Sequence, residues 1–221
     1  MNKYAYILFT RVPVPYKVKT RLQTLLTGEE ACQVQLQMLQ DSFLKFAELN
    51  NRGIDLYLAY SDEGDPSNLL AELPASFSTF SQVGHTIGER MNHAIQFVRE
   101  KGYEKVILTG SDIPNLTAEI IISAFDQMKE VVLGPSQDGG YYLVGCTKVI
   151  NLAPIFETTM AWGKSKVLTE TLKRLTDFDV ALLNQLQDVD FPSDLKEMRH
   201  DLKEENYYFK RWLTENRGLL E

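Results

Sequence analysis

Short runs of apolar and β-branched residues alternate along the chain with longer segments in which apolar residues recur at helical spacing. Thr27 and Glu30 have the spacing of a capping box at the start of the first longer segment. Strands are predicted at residues 3–9, 54–60, 77–81, 106–109, 131–133 and 179–183, with helices between them. This alternation predicts a single α/β domain, residues 1–221, built on a mainly parallel sheet.

The run at residues 106–109 is apolar or β-branched throughout, which is typical of a strand buried on both faces. Gly110, Asp112 and Pro114 end the run. In open α/β sheets ligands bind outside the carboxyl ends of the strands, so Asp112 is expected where a ligand would lie. The simpler alternative is that Asp112 caps a turn or the following helix.

A basic loop follows the first strand and carries four cations: Arg11, Lys17, Lys19 and Arg21. The whole chain has a net charge of −7, so this local cluster is informative. Arginine forms bidentate contacts with phosphate and lysine supplies a point charge, so the loop is suited to a polyphosphate. The alternative is a solvated surface loop. The loop has neither a P-loop nor a G-x-G-x-x-G pattern.

Two further stretches combine glycine with polar residues. Gly84 and Gly88 precede or open a helix, where glycine allows close approach to a ligand and the helix N-terminus favours an anion; a tight turn is the alternative. Asp138-Gly139-Gly140 lies between two apolar runs and predicts a hairpin with an added antiparallel strand. Asp138 could also accept hydrogen bonds from hydroxyl groups, with Tyr141 offering a flat face.

Three carboxylates follow the last predicted strand: Asp188, Asp190 and Asp194. Oxygen ligands in such a cluster suggest a hard metal ion. The alternative is that Asp190 caps the next helix, with Pro192 in its first turn. Residues 196–221 predict one amphipathic terminal helix that either covers the core or joins a second copy in a homodimer; residues 199–221 are expected to form a helical extension.

Composition restricts the partners. The chain is 44% apolar and 24% charged, as in ordinary globular proteins, and no apolar run approaches the roughly 20 residues that span a bilayer. The N-terminus lacks a signal-peptide cleavage site, and both cysteines lie in apolar patterns, so a cytoplasmic protein is expected. The acidic net charge argues against nucleic-acid binding.

Several motifs together resemble a known family. They are Val-Lys-Thr-Arg-Leu at 18–22, Gly-Glu-Arg-Met at 88–91, Gly-Ser-Asp-Ile-Pro at 110–114, Gly-Pro at 134–135, Asp-Gly-Gly-Tyr-Tyr at 138–142, Trp-Gly at 162–163 and Asp-Val-Asp at 188–190. In this order they resemble bacterial glycosyltransferase-like transferases related to 2-phospho-L-lactate guanylyltransferase, within the nucleotide-diphospho-sugar transferase (GT-A type) superfamily. Tyr16 departs from that pattern, because relatives often have glycine there.

The resemblance implies a Rossmann-like three-layer α/β/α sandwich with a mainly parallel mixed sheet and a divalent metal, Mg²⁺ or Mn²⁺. The metal is expected on Asp112 and Asp190, and the catalytic residues are expected to be Asp138 and Asp112. The residues expected to bind the nucleotide are Arg11, Lys19, Arg21, Gln82, Gly88 and Ser111. Those expected to bind the substrate are Gly139, Gly140, Tyr141 and Trp162.

Three functions are compatible with these residues. The first is a metal-dependent glycosyltransferase that uses a nucleotide sugar and a small-molecule acceptor. The second is a nucleotidyltransferase that joins a nucleoside triphosphate to a small phosphorylated acceptor and releases pyrophosphate. The third is a non-catalytic nucleotide-binding protein, against which the carboxylates at two strand ends argue. The first ranks slightly above the second.

Overall fold

A seven-stranded sheet forms the middle of the computed structural model, which describes residues 2–220. In chain order the strands are β1 Tyr4–Thr10, β2 Ile54–Tyr60, β3 Phe77–Ser81, β4 Lys105–Thr109, β5 Val131–Pro135, β6 Tyr141–Thr147 and β7 Val180–Leu182. They lie in the order β3-β2-β1-β4-β6-β5-β7. Neighbouring strands are parallel except where β6 pairs with β4 and β5. The predicted mainly parallel mixed sheet is confirmed, with the 106–109 run in its middle strand.

Helices cover both faces of this sheet. Within the described residues they are α1 Gly28–Ala47, α2 Ser67–Ala71, α3 Ile87–Arg99, α4 Ala118–Gln127, α5 Ala153–Phe156, α6 Val167–Arg174, α7 Pro192–Asp201 and α8 Tyr207–Glu215. Short 3-10 helices lie at Thr20–Thr24, Glu48–Arg52 and Arg217–Leu219. The Thr27 hydroxyl accepts the Glu30 amide at 3.2 Å, and the Glu30 carboxylate accepts the Thr27 amide at 2.7 Å, which confirms the capping box.

Alternate residues of β1 point to opposite layers, as the two-residue period of a strand requires. Tyr6 and Leu8 join a buried core with α1 and α4. Ala5 and Ile7 join a second core with α3, α5 and α6. The three-layer arrangement expected from the resemblance therefore forms, with one buried core on each face of the sheet.

A third apolar cluster joins α1 to α7, α8 and the 3-10 helix Thr20–Thr24. Phe209 is fully buried and Trp212 is 8% exposed, so the terminal segment covers the core of its own chain. The prediction of one continuous terminal helix is wrong. Buried Asp41 accepts the amides of Tyr208 and Phe209, each at 2.9 Å, and these bonds start α8 as a new helix.

The predicted extension boundary, residue 199, lies inside α7. The domain limits Met1 and Glu221 lie outside the described residues. Across residues 2–220, every helix is too short or too polar to cross a membrane.

A buried lysine connects α1 to the loop after β4. Lys45 is 7% exposed, and its Nζ donates to the Pro114 carbonyl at 2.7 Å and to Asn206 Oδ1 at 2.9 Å. Asn115 donates to the Asp201 carbonyl at 3.1 Å from the same loop. The loop that begins with Asp112 is therefore fixed both to α1 and to the segment between α7 and α8.

Candidate active site

The carboxyl ends of β1, β3 and β4 open onto a crevice of about 710 Å³. A smaller lobe of about 300 Å³ continues from it and shares Asp112, Asp138 and Tyr141 with it. The larger lobe is lined by the predicted residues Arg11, Lys19, Arg21, Gln82, Ser111, Asp112, Asp138, Tyr141 and Asp190. The smaller lobe is also lined by Gly140 and Trp162. Most of the residues that the sequence singles out are thus brought together.

Buried polar groups form the floor of the larger lobe. Gln82 Nε2 donates to the Thr10 carbonyl at 2.8 Å and to the Ala59 carbonyl at 2.9 Å. The Thr10 and Ser111 hydroxyls are 2.9 Å apart and hydrogen-bonded. These contacts fix the ends of β1, β2 and β4 relative to one another, so Gln82 and Ser111 shape the crevice through bonds within the chain.

Lys19 lies between the two predicted metal ligands. Its Nζ is 2.9 Å from Asp112 Oδ1 and 3.5 Å from Asp190 Oδ1, and it donates to the Val189 carbonyl at 2.6 Å. Its side chain is only 3% exposed. Its backbone is left-handed, with φ 48°, which is uncommon for a residue other than glycine.

The two arginines of the basic loop are more exposed. Arg21 donates to Asp190 Oδ2 at 2.6 Å, and its guanidinium carbon is 5.2 Å from the centre of the Phe191 ring. Arg11 pairs with Glu63. Their side chains are 47% and 53% exposed, so both guanidinium groups can still reach a ligand in the crevice.

Tyr16, where the family pattern predicts glycine, has an unusual backbone conformation and a packed ring. Its φ is 64°, so the backbone adopts the left-handed conformation that glycine takes without steric cost. The ring lies over Gly28, where an added Cβ would be 2.3 Å from Tyr16 Cδ1. Tyr16 therefore adopts a backbone conformation that suits glycine, and its ring packs on the start of α1.

Asp112 and Asp190 converge on one point, since both reach the Lys19 ammonium. Their side chains are 44% and 29% exposed. Within residues 2–220, no group of three or more His, Cys, Asp and Glu side chains could hold a metal ion. Two carboxylates nevertheless suit Mg²⁺ or Mn²⁺, because these ions complete their ligand sets with water and phosphate oxygens. Asp112 and Asp190 therefore fit the expected metal if water and phosphate oxygens supply its remaining ligands.

The alternative that Asp190 caps α7 is wrong. Asp194 Oδ2 accepts the amides of Asp190 at 2.8 Å and Phe191 at 2.6 Å, so Asp194 caps the helix. Pro192 is the first residue of α7, as predicted. The Asp190 side chain is thereby left to the basic loop and the crevice.

Asp138 is both a turn residue and a lining residue. Its Oδ1 accepts the Ser136 hydroxyl at 2.5 Å and the Gly140 amide at 2.9 Å. In the described part of the chain Oδ2 has no hydrogen-bond donor, so it remains available to a ligand. The hairpin that this turn closes, β5 with β6, is confirmed.

Asp188, one of the three carboxylates after the last predicted strand, also belongs to the site, although the sequence predicts no separate role for it. It lines the smaller lobe. Burial, together with the negative charges of Asp138 and Asp190, raises the pKa of Asp188 to about 6. The Asp-Val-Asp spacing could have indicated it, because residues i and i+2 of an extended segment face the same side.

Two glycines do not line either lobe, contrary to expectation. A Cβ on Gly88 would lie 2.2 Å from the Phe156 carbonyl and 2.6 Å from the Trp162 ring. A Cβ on Gly139 would lie 2.2 Å from the Ser165 carbonyl, and its φ is 88°. Both glycines therefore allow close packing within the chain. The segment that packs against these two glycines, residues 156–165, includes Trp162, which lines the smaller lobe.

The chain belongs to the family described as uncharacterized proteins conserved in bacteria (DUF2064), whose model matches residues 44–164. Curated proteins include no match to the sequence. A solved structure from Desulfovibrio desulfuricans G20, provisionally assigned as a nucleotide-diphospho-sugar transferase, is similar. It is 30% identical with a TM-score of 0.90, and the match covers 100% of this chain and 97% of that one.

More distant structures share the fold. A cytidylyltransferase from Leptospira borgpetersenii serovar Hardjo-bovis is 12% identical with a TM-score of 0.58, and the match covers 100% of this chain and 97% of that one. CMP:2-keto-3-deoxy-manno-octonic acid synthetase, complexed with CTP, is 11% identical with a TM-score of 0.55. The match covers 90% of this chain and 97% of that one. The predicted nucleotide-diphospho-sugar transferase fold is confirmed.

Proposed function

We propose that this protein is a metal-dependent glycosyltransferase that transfers a sugar from a nucleotide-diphospho-sugar to a small-molecule acceptor. The observation that carries the proposal is that the two lobes of the crevice are lined by different kinds of side chain, with three cations of the basic loop confined to the larger lobe. Arg11, Lys19 and Arg21 line the larger lobe, whereas Asp188 and Trp162 line only the smaller one. A donor of this class also has two unlike parts: an anionic diphosphate, which would suit the larger lobe, and an uncharged sugar, which would suit the smaller one. The 30% identical relative supports the transferase class.

Each lobe would contact one part of the donor. The exposed guanidinium groups of Arg11 and Arg21 would form bidentate bonds with the diphosphate. In the smaller lobe, carboxylates would accept hydrogen bonds from sugar hydroxyls, and the Trp162 ring would cover an apolar face of the sugar. Asp112 lines both lobes and lies where the two parts of the donor would meet.

Asp112 and Asp190 would hold Mg²⁺ or Mn²⁺. A divalent ion bound there would neutralise the charge that develops on the departing nucleoside diphosphate. In the transfer itself, the bond from the anomeric carbon to the diphosphate oxygen breaks, and a bond to the acceptor oxygen forms. The acceptor proton would pass to Asp138 Oδ2, the carboxylate oxygen without an internal donor.

A nucleotidyltransferase is the second candidate, and the number of cations on one loop favours it. Arg11, Lys19 and Arg21 together suit a triphosphate better than a diphosphate. Proteins with the same fold include a cytidylyltransferase and a synthetase complexed with CTP. The leaving group separates the candidates, because nucleotidyl transfer releases pyrophosphate and glycosyl transfer releases a nucleoside diphosphate.

Calorimetric titration tests the proposal. A panel of nucleotide sugars and nucleoside triphosphates is titrated into the protein with Mn²⁺ and with a chelator, and the released product is identified by chromatography. We expect one nucleotide sugar to bind at least about tenfold more tightly with Mn²⁺, since metal and nucleotide should each tighten the other by the same factor. Asp112→Asn should remove most of that coupling.

Asp126→Asn is the matched control, because Asp126 is exposed on α4 and outside both lobes. It removes the same charge and should leave the coupling intact. Pyrophosphate release would favour the second candidate. Equal nucleotide affinity with Mn²⁺ and with chelator would exclude metal dependence.

A further inference from the structure

The ammonium group of Lys19 already has three oxygen neighbours within the chain. Its Nζ donates to the Val189 carbonyl at 2.6 Å and forms ion pairs with Asp112 Oδ1 and Asp190 Oδ1, at 2.9 and 3.5 Å. At 3% exposure, this side chain differs sharply from the half-exposed arginines of the same loop. Lys19 therefore does not present a free cation to an incoming phosphate.

We infer that Lys19 is an internal counter-ion that keeps divalent metal off the Asp112–Asp190 pair until a diphosphate draws its ammonium away. The inference rests on the proposed function and adds an order to it. The ammonium occupies the point on which both carboxylates converge, so a metal ion that shared those oxygens would lie close to a like charge. A phosphate in the crevice offers the ammonium an alternative anionic partner.

The backbone around Lys19 is fixed, whereas its side chain can turn. Val18 is 1% exposed and Leu22 is fully buried, so apolar packing holds the loop on both sides of the lysine. The left-handed φ of 48° is a sparsely populated conformation that persists only where the surroundings enforce it. Lys19 also lines the larger lobe, so rotation about its four-carbon stem can move the ammonium without moving the loop.

Charge balance supports the coupling of metal binding to diphosphate binding. Lys19 and Arg21 offset Asp112 and Asp190, so this group of four side chains is neutral before a ligand binds. A divalent ion alone leaves it with two excess positive charges, and a doubly charged diphosphate alone leaves it with two excess negative charges. Together they restore neutrality. The partly buried site therefore favours joint binding over either ligand alone.

Removing the positive charge of Lys19 should allow the protein to bind a divalent metal ion without a nucleotide. The probe is Mn²⁺ alone, titrated without nucleotide and followed by electron paramagnetic resonance of the free ion. Lys19→Met is expected to bind Mn²⁺ at least about tenfold more tightly than wild type, because the competing charge is gone. Lys17→Met is the matched control, since Lys17 is an exposed lysine of the same loop, and it should match wild type.

Lys19→Gln repeats the test with a side chain that keeps hydrogen-bond donors but no charge, and thermal unfolding confirms that each variant is folded. Tighter Mn²⁺ binding by either folded Lys19 variant, with no change in Lys17→Met, supports the inference. Equal or weaker binding by both overturns it, while the proposed function stands if nucleotide and Mn²⁺ still tighten each other in wild type. If neither wild type nor the variants bind Mn²⁺, with or without nucleotide, the inference and the metal-dependent function both fail.

Discussion

Raising the pH from about 7 to about 9.5 should increase the contribution of Lys45 to stability. Burial lowers the pKa of this ammonium to about 8, although the charges of Asp41 and Glu205 offset part of the effect. In the unfolded chain a lysine has a pKa of about 10.4. Between the two values the unfolded chain retains a proton that the folded chain has lost, so the free energy of unfolding rises with pH.

The magnitude follows from these pKa values. Each pH unit over which only the folded chain has lost the proton contributes about 1.36 kcal/mol, so the interval from about pH 8 to about pH 9.5 contributes about 2 kcal/mol. Deprotonation costs no hydrogen bond, because the neutral amine keeps two N–H donors. They match the Pro114 carbonyl and Asn206 Oδ1, to which Lys45 already donates.

Urea unfolding of wild type and Lys45→Met over this pH range measures the effect. The difference in free energy of unfolding between the two proteins should change by about 2 kcal/mol in favour of wild type as the pH rises. Groups that titrate in both proteins cancel in the difference. Lys17→Met, which removes an exposed lysine, should show a flat difference from wild type. A flat difference for Lys45→Met as well would mean that burial does not lower the pKa of Lys45, and the argument would be refuted.

Two substitutions test packing. Gly88→Ala should push the Trp162 ring and the Phe156 carbonyl away from α3, destabilise the fold by about 1–3 kcal/mol and weaken nucleotide-sugar binding. Gly218→Ala, whose Cβ would meet nothing within 4 Å, is its control, and equal behaviour of the two variants would contradict the packing role. Phe209→Ala should lower the free energy of unfolding by about 3–5 kcal/mol in urea titrations, because the ring is fully buried; a loss below about 1 kcal/mol would contradict that burial.

Local patterns were sufficient to predict most of the fold. The strand at residues 54–60 and the strand at 77–81 coincide with β2 and β3, because each is a short run bounded by turn residues. The start of α8 could not be predicted in this way. It depends on Asp41, a buried carboxylate on a helix far earlier in the chain, and no local period encodes such a contact.

In the candidate site too, features that follow from local sequence patterns could be predicted, and contacts between distant residues could not. Asp112 and Asp138 could be placed near the candidate site because each follows directly from a strand or hairpin pattern. The pairing of Lys19 with Asp112 and Asp190 could not be predicted, because the three residues meet only through the folded sheet. Gly88 and Gly139 show a further limit. Glycine indicates that something approaches closely, but not whether it is a ligand or another part of the chain.

Asp190, which pairs with Lys19, follows the seven described strands of the sheet in the chain, and this order matters during biosynthesis. A ribosome adds residues from the N-terminus, so strands β1 to β6 are complete once residue 147 has been added. The nascent chain then contains the sequence of six of these strands but lacks Asp188 and Asp190. The crevice gains its second expected metal ligand, and Lys19 its second acidic partner, only once residue 190 has been added. A chain released before that point would retain much of the architecture without the assembled site.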